Sequence, residues 1–185
     1  MRSAFLWRGA LGVLVMTMMA RPAFAQASAG GTPKADLEVA YDVVNRVTNN
    51  GVSNTYPVGF HAGASYRLNT FVNVMAAFSG DYDTRPGFTA NLYTYAVGAR
   101  FQSDHMSRKA RPFAQVLLGS GQDNGTGNGR INHYPVLLPG GGTDLAVSPR
   151  LALRLLVDFP ILMAYGDSLF GTRFSVGVSC PLGRR

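Results

Sequence analysis

The sequence is short of charge and short of cysteine. Only 15 % of its 185 residues are charged, against roughly 25 % in a soluble globular chain. Lysine is reduced to Lys34 and Lys109, and tryptophan to Trp7. The lone cysteine, Cys180, excludes a disulfide framework and a thiolate zinc cluster. Beyond the first 25 residues no apolar run approaches the roughly 18 residues of a transmembrane helix. What is abundant is glycine, 22 residues, together with 11 Phe and 8 Tyr. That aromatic content and the low charge exclude intrinsic disorder. The length fits one domain.

The N-terminus reads as an export address. Arg2 and Arg8 form a basic segment, residues 10–20 an apolar one, and Ala23-Phe24-Ala25 a small-x-small cleavage site. The apolar stretch is too short to span a bilayer as a helix. Residues 1–25 are therefore expected to be a signal peptide, 26–34 a flexible lead-in, and 35–185 the folded domain. The formal charge of +7 includes Arg2, Arg8 and Arg21 of the leader, so the exported chain is less basic. Its one tight cationic cluster, Arg108, Lys109 and Arg111, is too small for a nucleic-acid surface, and no nucleic-acid partner is expected.

After residue 35 the dominant period is two, the signature of strands. Eight segments alternate. Their apolar faces are Leu37–Val43, Val58–Tyr66, Val72–Phe78, Tyr93–Phe101, Ala114–Leu118, Thr143–Val147, Leu151–Val157 and Phe174–Val178. The fifth segment is apolar on both sides; setting Ala114, Val116 and Leu118 outward turns Gln115 in. The opposite face carries Glu38, Asp42, Asp144 and Asp158 against Arg67, Arg100, Arg154 and Arg173, with small residues between. Four acids against four arginines suit an enclosed interior, where an unpaired charge is costly, and arginine's planar fork suits enclosed pairs.

Two hairpins set the register. A three-residue turn at Leu68-Asn69-Thr70 would pair Tyr66 with Val72, Ala64 with Val74 and Phe60 with Phe78. A turn at Ser148-Pro149-Arg150 would pair Leu145 with Leu153 and Asp144 with Arg154. Connections are expected at 46–57, 68–70, 79–91, 102–112, 120–142, 148–150 and 159–171, alternately long and shorter. A membrane barrel has this alternation of external loops and internal turns, with the apolar face toward lipid. The competing reading is a soluble periplasmic, lipocalin-like barrel with the apolar face inside around an apolar ligand.

The pattern resembles the eight-stranded outer-membrane β-barrel domain of Gram-negative bacteria, the OmpA/OmpX-like group, over residues 35–182. The resemblance is carried by Gly140-Gly141-Gly142-Thr143-Asp144-Leu145 running into Ser148-Pro149-Arg150-Leu151-Ala152-Leu153-Arg154. Val97-Gly98-Ala99-Arg100-Phe101, Pro112-Phe113-Ala114-Gln115 and Arg173-Phe174-Ser175-Val176-Gly177-Val178 also carry it. The family's usual final aromatic is replaced by Cys180-Pro181-Leu182-Gly183-Arg184-Arg185. The resemblance implies an all-β, up-and-down transmembrane barrel in the outer membrane. Its partners would be the lipid bilayer, lipopolysaccharide and the outer-membrane insertion machinery, its interior a salt-bridged plug, and its role structural or surface contact.

Chemical signatures are sparse. His105-Met106-Ser107 has a spacing found in some lipid A deacylases, but its place in a basic turn favours a solvated connection. His133 has no evident partner. His61 lies on the inward face as a hydrogen-bonded packing residue, and Cys180 is an apolar filler. Residues 121–129 are rich in glycine and asparagine with one carboxylate, too few for a calcium cage, and read as an external loop. Tyr66, Tyr93 and Phe101 are candidates for an interfacial aromatic girdle. No cofactor, metal or catalytic residue is expected.

Overall fold

A strand continues wherever successive side chains have two different environments to alternate between, and here they do so over 14 to 18 residues at a time. The computed structural model describes residues 33–47, 53–85, 88–102, 110–124, 132–148, 150–164 and 167–184. It consists of β1 (Pro33–Val47), β2 (Ser53–Arg67), β3 (Val72–Arg85), β4 (Phe88–Gln102), β5 (Ala110–Asn124) and β6 (Asn132–Ser148), followed by β7 (Leu151–Asp158), β8 (Ile161–Ala164) and β9 (Asp167–Arg184). From β1 to β7 each strand pairs antiparallel with the next, and β9 returns to β1 to close the ring. Residues 1–32, which include the expected leader, lie outside the described residues.

β7 and β8 are one stave interrupted. Asp158 pairs with Gly140 and Leu162 with Val136 in a single register on β6. Asp158 with Arg173 and Ile161 with Phe170 share a register on β9. The break falls at Phe159-Pro160, because proline has no N–H to give the ladder. The neighbours still bond there: Phe159 N donates to Pro139 O (2.8 Å) and Gly171 N to Pro160 O (2.9 Å). The barrel therefore has eight staves, a size at which side chains just fill the interior.

The charged face is inside and the apolar face outside. Arg100, Asp42, Asp144 and Asp158 are completely buried, whereas Val97 and Leu118 are 61 % and 62 % exposed. This overturns the lipocalin-like alternative, which needs the reverse. Ala114, Val116 and Leu118 face out and Gln115 faces in, which fixes the phase of the fifth strand. The outward apolar residues form a band round the wall; a strand needs about nine to eleven residues to cross a bilayer's hydrocarbon core.

Two expectations from the sequence need correction. The first hairpin is shifted: Tyr66 pairs with Val74, Ala64 with Ala76 and Phe60 with Gly80. The cause is Asn69, whose Oδ1 accepts from the amides of Phe71 (2.9 Å) and Val72 (2.8 Å). This Asx turn lengthens the connection while Leu68 N reaches Val72 O (3.0 Å). The shift is by two positions in the pairing, so every side chain keeps its face. The second hairpin pairs Leu145 with Leu153 and Asp144 with Arg154, with an irregularity between Ala146 and Ser148 that sets Ser148 opposite Leu151.

The second correction concerns the long loops. Most of 79–91 and 120–142, and the ends of 46–57 and 159–171, are strand. β6 alone runs through Pro135, Pro139 and Gly140-Gly141-Gly142. These glycines are packing requirements. A Cβ at 142 would lie 2.9 Å from the Phe113 ring, and one at 140 would overlap the Asp158 carboxylate.

Candidate functional site

The features that distinguish this barrel converge in its interior. Inward positions on β1, β2, β3, β4, β5, β6, β7 and β9 are brought together, with bonded partners 62 and 94 residues apart in sequence. Glu38 is the hub. Arg100 donates through Nη1 to Glu38 Oε2 (2.7 Å) and through Nη2 to Oε1 (3.1 Å). His61 Nε2 lies 2.8 Å from Glu38 Oε1, and Arg154 Nη1 contacts Oε2. Arg154 also grips Asp144 with two bonds, Nε to Oδ1 (2.6 Å) and Nη2 to Oδ2 (2.7 Å). Forked pairs of this kind are the strong ones.

Two glutamines extend the set. Gln102 Nε2 donates to Asp144 Oδ2 (3.0 Å). Gln115 Oε1 accepts from Arg100 Nε (3.0 Å) and Nη2 (2.7 Å), while its Nε2 donates to Asp158 Oδ1 (2.9 Å). Arg173 then binds Asp158 Oδ2 through Nη2 (2.7 Å) and Nε (3.2 Å), and gives Nη1 to Ser79 Oγ (2.8 Å). The Phe113 ring is sandwiched by charge: the Arg100 and Arg154 guanidinium carbons lie 4.4 Å and 4.9 Å from its centroid, in cation–π range.

Of the eight charged residues singled out from the sequence, seven are buried: Glu38, Asp42, Arg100, Asp144, Arg154, Asp158 and Arg173. Arg67 is half-buried opposite Asn73 at the turn end of β2 and β3. The sequence pattern missed Ser79 and Asp81 because 79–91 read as loop. It placed His61 and Gln115 inward without giving them partners. Gln102, within the expected connection 102–112, ends β4 and faces inward.

Towards the other end the interior turns apolar. Val44, Tyr56, Ala90, Leu92, Leu117, Tyr134, Val136, Leu138 and Leu162 form a buried cluster with Leu169 packed against it. The outward side at this level is mixed: Thr55, Asn91, Gln122 and His133 are polar, while Met163 and Phe170 are exposed apolar residues. On the outer wall Tyr66 and Phe101 stand exposed near the turn end beside Phe71. Tyr93 lies at the opposite edge of the apolar band, its centroid 6.4 Å from Phe78 and 5.9 Å from Tyr82.

The remaining candidates are dispersed. His105-Met106-Ser107 lies outside the described residues. Residues 121–124 belong to β5 and are not loop. His133 is exposed on β6, far in pairing from His61, and Cys180 is partly buried on β9. Among the described residues no three His, Cys, Asp or Glu side chains converge as a metal cluster.

No protein-family model matches the chain, and no curated protein matches it. Solved structures do. Neisserial surface protein A superposes with a TM-score of 0.69 at 16 % identity, over 83 % of this chain and 100 % of that one. The attachment invasion locus protein Ail of Yersinia pestis gives 0.59 at 13 % identity, over 80 % and 98 %. The outer membrane protein OprG from Pseudomonas aeruginosa gives 0.54 at 7 % identity, over 81 % and 97 %. With eight antiparallel staves in up-and-down order, an apolar outer wall and a charged interior, this chain has the fold of the small outer-membrane β-barrels.

Proposed function

We propose that the protein is a non-enzymatic barrel of the bacterial outer membrane with a plugged interior, acting in envelope structure or surface contact. Residues 1–25 serve as the cleaved export signal, 26–34 as a lead-in, and 35–185 as the inserted domain. Its immediate partners are the bilayer, lipopolysaccharide and the insertion machinery. One observation carries this reading: large apolar side chains stand exposed all round the wall while paired charges are shut inside. Such an exterior is stable in lipid and a liability in water.

The interior argues for a plug and against catalysis. Glu38 and Asp144 are held by Arg100 and Arg154 in two-pronged bonds, and His61 is engaged with Glu38, so among the described residues no base stands beside a free nucleophile. Tyr66 and Phe101 at one edge and Tyr93 at the other serve as interfacial anchors. Surface contact falls to the far end of the barrel, where the described strands extend over an apolar cluster.

Cell fractionation, followed by electrophoresis with and without boiling, tests the reading. A membrane-fraction band whose mobility shifts on heating is the expected result. A soluble band with no shift would overturn it.

A further inference from the structure

The interior charges are balanced unevenly. Near the turns, Glu38 and Asp144 are served by Arg100 and Arg154, with Arg111 Nη2 3.9 Å from Asp144. Higher in the barrel, Arg173 stands among Asp158, Asp42 and Asp81, and its strong bonds go to Asp158 and Ser79. It approaches Asp42 no closer than 3.9 Å. Asp42 is completely buried, and no group among the described residues donates to either of its oxygens. Asp81 is 2 % exposed, with Oδ1 likewise without a donor among them. The buried Ser175 hydroxyl lies beside Asp42.

These groups share one place. Asp42 pairs with Gly59, and Gly59 with Asp81, so the two carboxylates flank a glycine in one cross-strand row. The Asp81 carboxylate itself lies over Gly59: a Cβ there would overlap Asp81 Oδ1 and lie 3.1 Å from Asp42 Cβ. Buried carboxylate oxygens without donors are costly. Hard cations satisfy such oxygens, using carboxylates, hydroxyls, carbonyls and water as ligands.

We infer that Asp42, Asp81 and Ser175 form a cation site over Gly59, taking a hard ion of the calcium type through oxygen. With two carboxylates and a hydroxyl and no thiolate, the donor set suits a hard ion and not a soft transition metal. The ion completes the charge balance that Arg173 leaves unfinished, and so locks β1, β2, β3 and β9 together. The site belongs to the barrel interior and does not depend on which surface the protein contacts.

The test uses the folded full-length barrel in detergent, stripped with a chelator. The temperature at which the compact electrophoretic band is lost is measured as calcium, magnesium or sodium chloride is titrated at constant ionic strength. The expected result is a saturable rise of several degrees with calcium, weaker or absent with the other two. Equilibrium binding should show one ion per chain, and Asp81→Asn should abolish both signals. Ser175→Ala, a milder change, should weaken calcium binding, which keeps the test available where Asp81→Asn does not fold. A flat titration, an equal shift in wild type and Asp81→Asn, or a midpoint that follows pH and ignores all three cations would overturn the site. The last result would mean that protons fill the space.

Discussion

Around Arg154 the barrel wall is apolar outside and charged inside; around Tyr134 the same wall is mixed outside and apolar inside. The same eight staves thus run through two solvents. In the turn-side part the outer face meets an apolar surround, and the interior is free to carry ion pairs because they satisfy one another. In the tip-side part the polar residues Thr55, Asn91, Gln122 and His133 join apolar ones on the outer face, and inside a core of Leu92, Val136, Leu138 and Leu162 takes over beside the buried Asp81 and Asp83. The change of pattern along each strand marks where the bilayer surface would lie. It also means that the described strand ends on this side are held by packing.

The largest effect should come from unbalancing the charged half. Asp144→Ala strands Arg154 beside Glu38 and should cost about 3–5 kcal/mol in urea unfolding. Adding Arg154→Leu should recover more than half, because Glu38 keeps Arg100 and His61. Equal unfolding of the single variant and wild type would mean that the turn-side interior is not held by its ion pairs.

The apolar half should respond to volume. Leu138→Ala, at a site 1 % exposed, should cost about 3 kcal/mol, while Leu118→Ala, 62 % exposed, should be nearly silent in detergent. Similar losses at both would remove the distinction between core and wall. The boundary itself can be located with charge. Val116→Arg should lower stability in bilayers by about 2 kcal/mol, as charges on a lipid-facing wall do; Gln122→Arg, on the same strand and face, should be tolerated. The smallest effect, about 1 kcal/mol, is expected for Asn69→Ala, which removes the acceptor that shapes the β2–β3 turn. A change in amide protection at Phe71 and Val72 would report it.

The alternation of Leu37–Val43, Val58–Tyr66 and Tyr93–Phe101 was legible because each reads against a single environment. So was the inward row Glu38, Asp42, Arg100, Asp144, Arg154, Asp158 and Arg173, since balanced charge set opposite an apolar face on successive strands marks an enclosed wall. Asp81 and Ser79 were not legible. Beyond Phe78 the outward face of β3 keeps, among the described side chains, only Gly80 and Tyr82, and the inward residues Ser79, Asp81 and Asp83 are polar, a composition that reads as loop. Gly140-Gly141-Gly142 misled for a related reason: locally they signal a turn, but here they make room for Phe113 and Asp158. The first hairpin slipped by two positions because a side-chain acceptor, Asn69, outweighed the shortest loop.

The period of two and the segregation of charge from apolar surface along each strand belong to the sequence alone, because neighbouring side chains on a strand must face opposite ways whatever lies beside them. The pairing of charges does not. That Arg100 meets Glu38 and Arg173 meets Ser79, from opposite regions of the chain, follows from the stagger of eight closed staves. The same closure places Asp42 and Asp81 on either side of Gly59, since the distance across the barrel is set by register and no local stretch of sequence encodes it.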